Sequence, residues 1–213
     1  MTPRPRILLA DDHTMLLAAF RELLSATCEV VGTVSDGRAL LEAAPKLEPD
    51  VIVVDVSMPL LNGMDACRQL QPRLGKTKWV FLTVSADPDV AAEAFRIGAS
   101  AYLLKNSAAA ELFTAIQKAI QGSLYITPLL TKGMPVAVFL SQRTHPSADK
   151  LTLRQREVLQ LLAEGRLMKE VADILGVTPR TVAFHKYTIM QELDLKSTAG
   201  LVQYAVKHGL VRP

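Results

Sequence analysis

Five side chains in the first half of the chain have the types and the order needed for phosphoryl chemistry. Asp11 and Asp12 follow the apolar run RILLA, Asp55 closes VIVVD, Thr83 closes WVFLT and Lys105 follows AYLL. Each stands at the carboxyl end of a short aliphatic or β-branched run. Carboxylates held close together resist joint ionisation unless a cation sits among them. An oxygen-only donor set suits Mg²⁺, which takes few protein ligands and keeps its waters. A carboxylate can attack phosphorus, and a neighbouring amine neutralises charge on the phosphoryl oxygens. One aspartate at a strand end usually just begins a turn. Five such residues at the same rim are poorly explained that way.

The elements that must position them are visible as periodicity. Strand patterns occupy residues 6–10, 29–34, 51–55, 79–83 and 101–104, and helical patterns residues 13–26, 37–47, 64–74, 88–97 and 108–121. Several strand runs are apolar on consecutive residues, as strands covered on both faces are. In the first helix Leu16, Leu17, Phe20, Leu23 and Leu24 repeat at helical spacing. Five alternating β/α pairs predict an open, doubly wound parallel sheet, whose ligand crevice lies at the strands' carboxyl ends.

Residues 123–150 break this rhythm with Pro128, Gly133, Pro135 and Pro146 and read as a linker, although 124–130 and 136–140 are apolar enough to dock on a domain. From Leu151 onward only helical patterns occur, at 153–163, 169–175, 179–193 and 198–208. Thr178 before Pro179 is a strong helix start. The helix it opens carries Arg180, His185 and Lys186 with no acid before Glu192, and Thr178, Arg180 and Thr181 gather at its positive end. Two short helices around Gly176 fit a helix-turn-helix, with the second helix in the major groove of double-stranded DNA, while charge alone favours a solvated basic helix in a small bundle.

Composition bounds the alternatives. At 213 residues and 49% hydrophobic the chain has material for a core, which excludes wholesale disorder. Its net charge of +3 is too weak to announce a nucleic acid. That average hides a split, with 12 basic and 14 acidic residues in 1–122 against 9 and 6 in 151–213. Cys28 and Cys67 have no metal-ligand spacing and read as buried apolar residues. The first apolar run is cut short by Asp11 and Asp12, so no secretory leader is expected. No run reaches the length of a bilayer span, and a cytoplasmic location without membrane contact is expected. Gly75-Lys76-Thr77 lacks the glycine five positions earlier that a phosphate-binding loop needs, and no nucleophile elbow occurs.

Through LLADDH, VVDVSMPLLNG, LTVSA and AYLLK, the first half resembles the receiver domain of two-component response regulators. Through LTLRQREVLQLLAEG, KEVADILGVTPRTVAFHKYTI and the closing helix, the last part resembles the NarL/FixJ, or LuxR-type, output domain. The resemblance implies a flavodoxin-like (βα)5 receiver over 1–122, a linker over 123–150 and an all-α helix-turn-helix domain over 151–213. It implies that Asp55 accepts a phosphoryl group from a sensor histidine kinase, with Mg²⁺ held by Asp12, Asp55 and the Ser57 carbonyl and assisted by Asp11. It gives Lys105 to the phosphate and the switch to Thr83 and Tyr102. For DNA it implies contacts from Lys169, Thr178, Arg180, Thr181, His185 and Lys186, a base-reading face at Ala183, Phe184 and Tyr187, and homodimerisation through Leu201, Val202 and Ala205. Such a protein is a transcription regulator and not an enzyme, apart from losing its own phosphoryl group. The alternative is a phosphorylation-independent regulator whose receiver is only a dimerisation platform.

Several positions depart from the family pattern. Asn106 stands where proline is common, and Val84 where alanine or glycine is common, so a β-branched side chain narrows the approach of water and a long-lived phosphoryl group is expected. Ala183 replaces a frequent lysine, and with Phe184 it suits thymine methyls better than guanine edges, unless Phe184 packs into its own domain. Gln155, Met168 and Glu192 replace a usual Glu, Asn and Lys.

Overall fold

The computed structural model describes residues 4–143 and 150–211. Five strands, β1 (Arg6–Ala10), β2 (Glu29–Val34), β3 (Val51–Asp55), β4 (Lys78–Thr83) and β5 (Ala99–Leu104), alternate with α1 (Thr14–Leu24), α2 (Gly37–Leu47), α3 (Gly63–Leu70), α4 (Pro88–Arg96) and α5 (Ala108–Ile120). All pair in parallel, in the order β2-β1-β3-β4-β5-β6, where β6 (Tyr125–Ile126) is a short strand beyond the five expected. The order reverses between β1 and β3, so the crevice of this doubly wound sheet opens where Asp11 and Asp55 stand.

Period-2 alternation divides the sheet's side chains between two cores. Leu8, Ala10, Ile52, Val54 and Phe81 pack beneath α2, α3 and α4, while Ile7, Leu9, Val51, Val53, Val80 and Leu82 pack beneath α1 and α5. Every residue of β3 is buried. Cys67 lies in the first core and Cys28 in the second, both as free thiols. Asp36, Asn62 and Asp87 cap their helices by accepting from Ala39 N, Asp65 N and Asp89 N. The periodicity predicts α3 to residue 74, yet it ends at Leu70, since Pro72 has no N–H to continue the hydrogen-bond ladder even though Gln71 keeps helical backbone.

After β6 the chain forms α6 (Pro128–Thr131) and α7 (Val136–Ser141), whose Leu130 and Phe139 join Ile126 in the core of α2, α3 and α4. The apolar runs of the linker thus dock on the receiver side. Part of the polar end of the linker, residues 144–149, lies outside the described residues.

The last part is four helices, α8 (Leu153–Ala163), α9 (Met168–Leu175), α10 (Pro179–Glu192) and α11 (Thr198–Lys207), around Val158, Leu161, Val171, Val182, Ile189, Leu201 and Ala205. Thr152 and Gln155 form a reciprocal capping box on α8. Gly176 closes α9 at φ 63°, left-handed backbone that a glycine adopts without strain. Thr178 accepts from Thr181 N with Pro179 at the first turn of α10.

Candidate functional site: a carboxylate rim gripped by the C-terminal helices

The backbone brings the rim residues together because α3 starts hard against the end of β3. A Cβ on Gly63 would lie 2.1 Å from the Asp55 carbonyl oxygen, so no other residue is accommodated there without displacing the loop. Asp11 and Asp55 are buried and share one cation, with Lys105 Nζ 2.7 Å from Asp11 Oδ2 and 2.8 Å from Asp55 Oδ2. The Ser57 N–H donates to Asp55 Oδ1 at 3.1 Å. His13, which residue type and spacing do not single out, places Nδ1 2.9 Å from an oxygen of both Asp11 and Asp12. One donor atom each from Asp11, Asp12, His13 and Asp55 can lie within 4.8 Å of the others, so this pocket has the donors to hold a metal ion.

Burial raises the pKa of Asp55, and the charge of Asp11 adds to this, while Lys105 and the Ser57 N–H pull the other way. A carboxylate partly stripped of water and aimed by Lys105 is a competent nucleophile. Thr83 is buried at the same rim, where its Oγ1 accepts from Ser85 N at 3.0 Å. Tyr102 is wholly buried, and its hydroxyl has no hydrogen-bond partner among the described residues. Burial raises the pKa of that hydroxyl, with the nearby Thr83 opposing and Asp87 and Asp55 adding to the rise. Val84 lies 73% exposed beside the rim and lines a cavity of about 470 Å³ with His13, Met15, Leu16, Ala19 and Lys105.

A second constellation ties this rim to α8. The loop after Asp55 is gripped by Gln160, whose Nε2 donates to the Met58 carbonyl at 2.9 Å and whose Oε1 accepts from Asn62 N at 2.8 Å and Asn62 Nδ2 at 3.0 Å. Glu164 accepts from Leu60 N at 3.0 Å. Asp65 lies between Arg68 and Arg156, at 2.6 and 2.7 Å, and Glu157 takes Gln69 at 2.9 Å and Arg38 at 3.2 Å. Leu60 packs against the output core with φ 64°, left-handed backbone that is strained for a leucine. The sequence signal for this clasp is Arg156, Glu157, Gln160 and Glu164 on one helical face. Such a stripe reads as a solvated face, and only the fold shows that it faces the receiver.

On α10, Thr178 and Arg180 are exposed, as is Lys169 on α9, while Thr181, His185 and Lys186 are half-buried. Phe184 is 66% and Tyr187 67% exposed, so Phe184 does not pack into its own domain. Gln155 and Glu192 meet, with Gln155 Nε2 3.0 Å from Glu192 Oε2, so these two departures from the family pattern answer each other. Leu201 and Ala205 turn inward to full burial, and of the expected dimer contacts Val202 alone keeps exposed surface.

A switch-point carboxylate rim, clasped to a helix-turn-helix, defines a receiver coupled to a DNA-binding output, which is the class of the response regulators. The chain matches the response regulator receiver domain over residues 7–117 and the bacterial regulatory proteins of the luxR family over residues 149–205. It is 31% identical to the transcriptional regulatory protein MctR of Rhizobium johnstonii, covering 99% of this chain and 98% of that protein. It is 34% identical to the oxygen regulatory protein NreC of Staphylococcus carnosus, covering 97% and 99%. RcsB of Salmonella enterica serovar Typhimurium, bound to a promoter with a phosphomimetic, superposes with TM-score 0.59 at 26% identity, over 94% and 98% of the two chains. The chain therefore belongs to the response-regulator family with a LuxR-type output domain. Among the described residues, no helix is long and apolar enough to cross a membrane.

Proposed function

We propose that Asp55 takes a phosphoryl group from the phosphohistidine of a sensor histidine kinase and that the change reaches DNA through the clasp on α8. The observation that carries this reading is the loop itself, which joins the phosphoacceptor to Gln160 and Glu164 within a few residues. An Oδ of Asp55 attacks phosphorus as the P–N bond breaks, and the histidine leaves with the electron pair and takes a proton. Lys105, already bridging Asp11 and Asp55, follows the charge onto the phosphoryl oxygens. Asp12, Asp55 and the Ser57 carbonyl, with Asp11 assisting, would hold Mg²⁺, which when bound would neutralise charge at the transferring group. Thr83 turns from Ser85 N toward the new anion, and the buried Tyr102 hydroxyl moves with it.

On this reading residues 1–122 form the receiver, 123–150 the linker and 151–213 the output domain. Lys169, Thr178, Arg180, Thr181, His185 and Lys186 bind phosphates, Ala183, Phe184 and Tyr187 face the bases, and a homodimer reads paired half-sites in the cytoplasm. The assembled Asp11, Asp55, Thr83 and Lys105 set disfavours a receiver that serves only as a platform. The test is incubation with acetyl phosphate and Mg²⁺, followed by intact mass, sedimentation and DNA binding across salt concentrations. The expected result is one phosphoryl adduct, absent in Asp55→Asn, with a salt slope reduced by about 1 in Arg180→Ala. An adduct retained by Asp55→Asn would overturn the assignment of this site.

A further inference from the structure

We infer that Phe184 reads the 5-methyl group of thymine in the major groove, so that part of the operator's sequence is specified by a methyl contact instead of a hydrogen bond. This rests on the DNA-binding reading and deepens it. In α10, Val182 and Ile189 are fully buried, while Arg180, Phe184, Tyr187 and Gln191 are exposed. The spacing of that set, four then three then four, puts them on one stripe of the helix. The stripe points away from the domain's core.

Two large aromatic rings about two-thirds exposed on a helix with few apolar neighbours need a partner that buries them. The occupant is DNA, because the surroundings are cationic and donor-rich. Arg180 precedes the rings by one turn, His185 and Lys186 lie between them, and Lys169 sits at the start of the neighbouring helix. No acid occurs on α10 before Glu192, which is itself engaged by Gln155. Thr178 and Thr181 hydroxyls, 2.9 Å apart, crown the positive end of the helix as phosphate ligands.

Such flanks set the helix on the backbone and leave the middle of the stripe facing base edges. There the stripe offers Phe184, which has no side-chain donor or acceptor, with the half-buried Ala183 beside it. The one apolar feature on a base edge in the major groove is the thymine methyl. The Phe184 ring is already held edge-on by His185, with centroids 5.8 Å apart, which limits its freedom before binding. Tyr187, one turn further on, carries a hydroxyl and takes a polar partner, so the methyl contact is assigned to Phe184 alone.

The experiment isolates the methyl. A randomised duplex library is selected against the acetyl phosphate-treated protein, and the recovered consensus is remade with deoxyuridine at one thymidine at a time. Uracil keeps every hydrogen bond of thymine and lacks only the methyl. The expected result is one thymine per half-site whose replacement weakens binding about fourfold, the equivalent of one buried methyl-sized group. Phe184→Ala is expected to bind more weakly and to lose that sensitivity, while Phe184→Leu keeps part of it. Sensitivity that persists unchanged in Phe184→Ala, or no sensitive thymine at all, would overturn the proposal. Phe184→Ala that binds all duplexes as before but fails to dimerise in sedimentation would assign the ring to a second copy of the chain. Failure to enrich any duplex would overturn the DNA-binding reading itself, and the proposal with it.

Discussion

At the residue scale the rim keeps Asp55, the proposed nucleophile, short of water while Lys105 holds its charge. Lys105 serves Asp11 and Asp55 at once, so neither carboxylate is left buried without a counter-charge. Val84 lines the cavity beside that pair, together with Met15 and Leu16. If Asp55 is phosphorylated as proposed, the aspartyl phosphate would be lost to in-line attack by water, and the branched Val84 side chain beside the rim would obstruct that approach. Val84→Ala is expected to speed loss of the phosphoryl group several-fold, read as the decay of the adduct by mass, with little effect on its formation. Equal decay rates would remove steric gating as the cause. Most of this rim is legible in the sequence, because strand ends and residue types suffice to gather it. His13 escapes that reading, since a histidine after two aspartates looks like a loop residue until its ring is seen against both carboxylates.

At the scale of elements, Asp55 and the helix-turn-helix are connected by the grip of α8 on the loop after β3. Coupling of this kind is reciprocal. If phosphorylation loosens the clasp, breaking the clasp eases phosphorylation. Gln160→Ala combined with Glu164→Ala is expected to enlarge the particle in X-ray scattering and to tighten equilibrium binding of the phosphomimetic beryllofluoride by about fivefold or more, the lower range of such couplings. An unchanged affinity would disconnect the two ends. The clasp also carries a pH dependence of definite sign. Burial raises the Glu164 pKa above its ordinary 4.5, against the pull of Gln160, the Leu60 N–H and Arg166. The docked state therefore holds the proton more firmly than the undocked state, and docking strengthens as the pH falls toward that ordinary value. Glu164→Gln, which keeps an acceptor for Leu60 N, is expected to abolish the dependence in scattering profiles taken from about pH 7 to pH 5. None of this is readable from the sequence. Arg156, Glu157, Gln160 and Glu164 form a polar stripe like that of any surface helix, and their partners lie on another part of the chain, about a hundred positions away in the case of Gln160 and Asn62.

At the scale of the whole molecule the alternation of strands and helices is plain in the sequence, and so is the switch to helices alone. The sixth strand is not, because Tyr125 and Ile126 make too short a run to show any period. Those two residues tie the end of the receiver to α6 and α7. Thr127 N donates to the Tyr102 carbonyl at 3.0 Å and Thr127 Oγ1 accepts from Leu104 N at 3.1 Å, so the strand that carries the buried tyrosine is stitched to the linker. A chain cut after Gly122, where composition changes, would leave the flank of β5 with unpaired amides and carbonyls and uncover the seat of Phe139. Residues 1–142 are expected to melt higher than residues 1–122 and to stay monomeric where the shorter piece aggregates. Equal melting would show that β6, α6 and α7 add nothing. Loss of Phe139 alone, buried as it is, should cost about 3–5 kcal/mol in the longer piece. The short strand thus acts as a selvedge. It finishes a border that would otherwise recruit a neighbour's strand, and it makes the working unit of the receiver longer than its catalytic-looking half suggests.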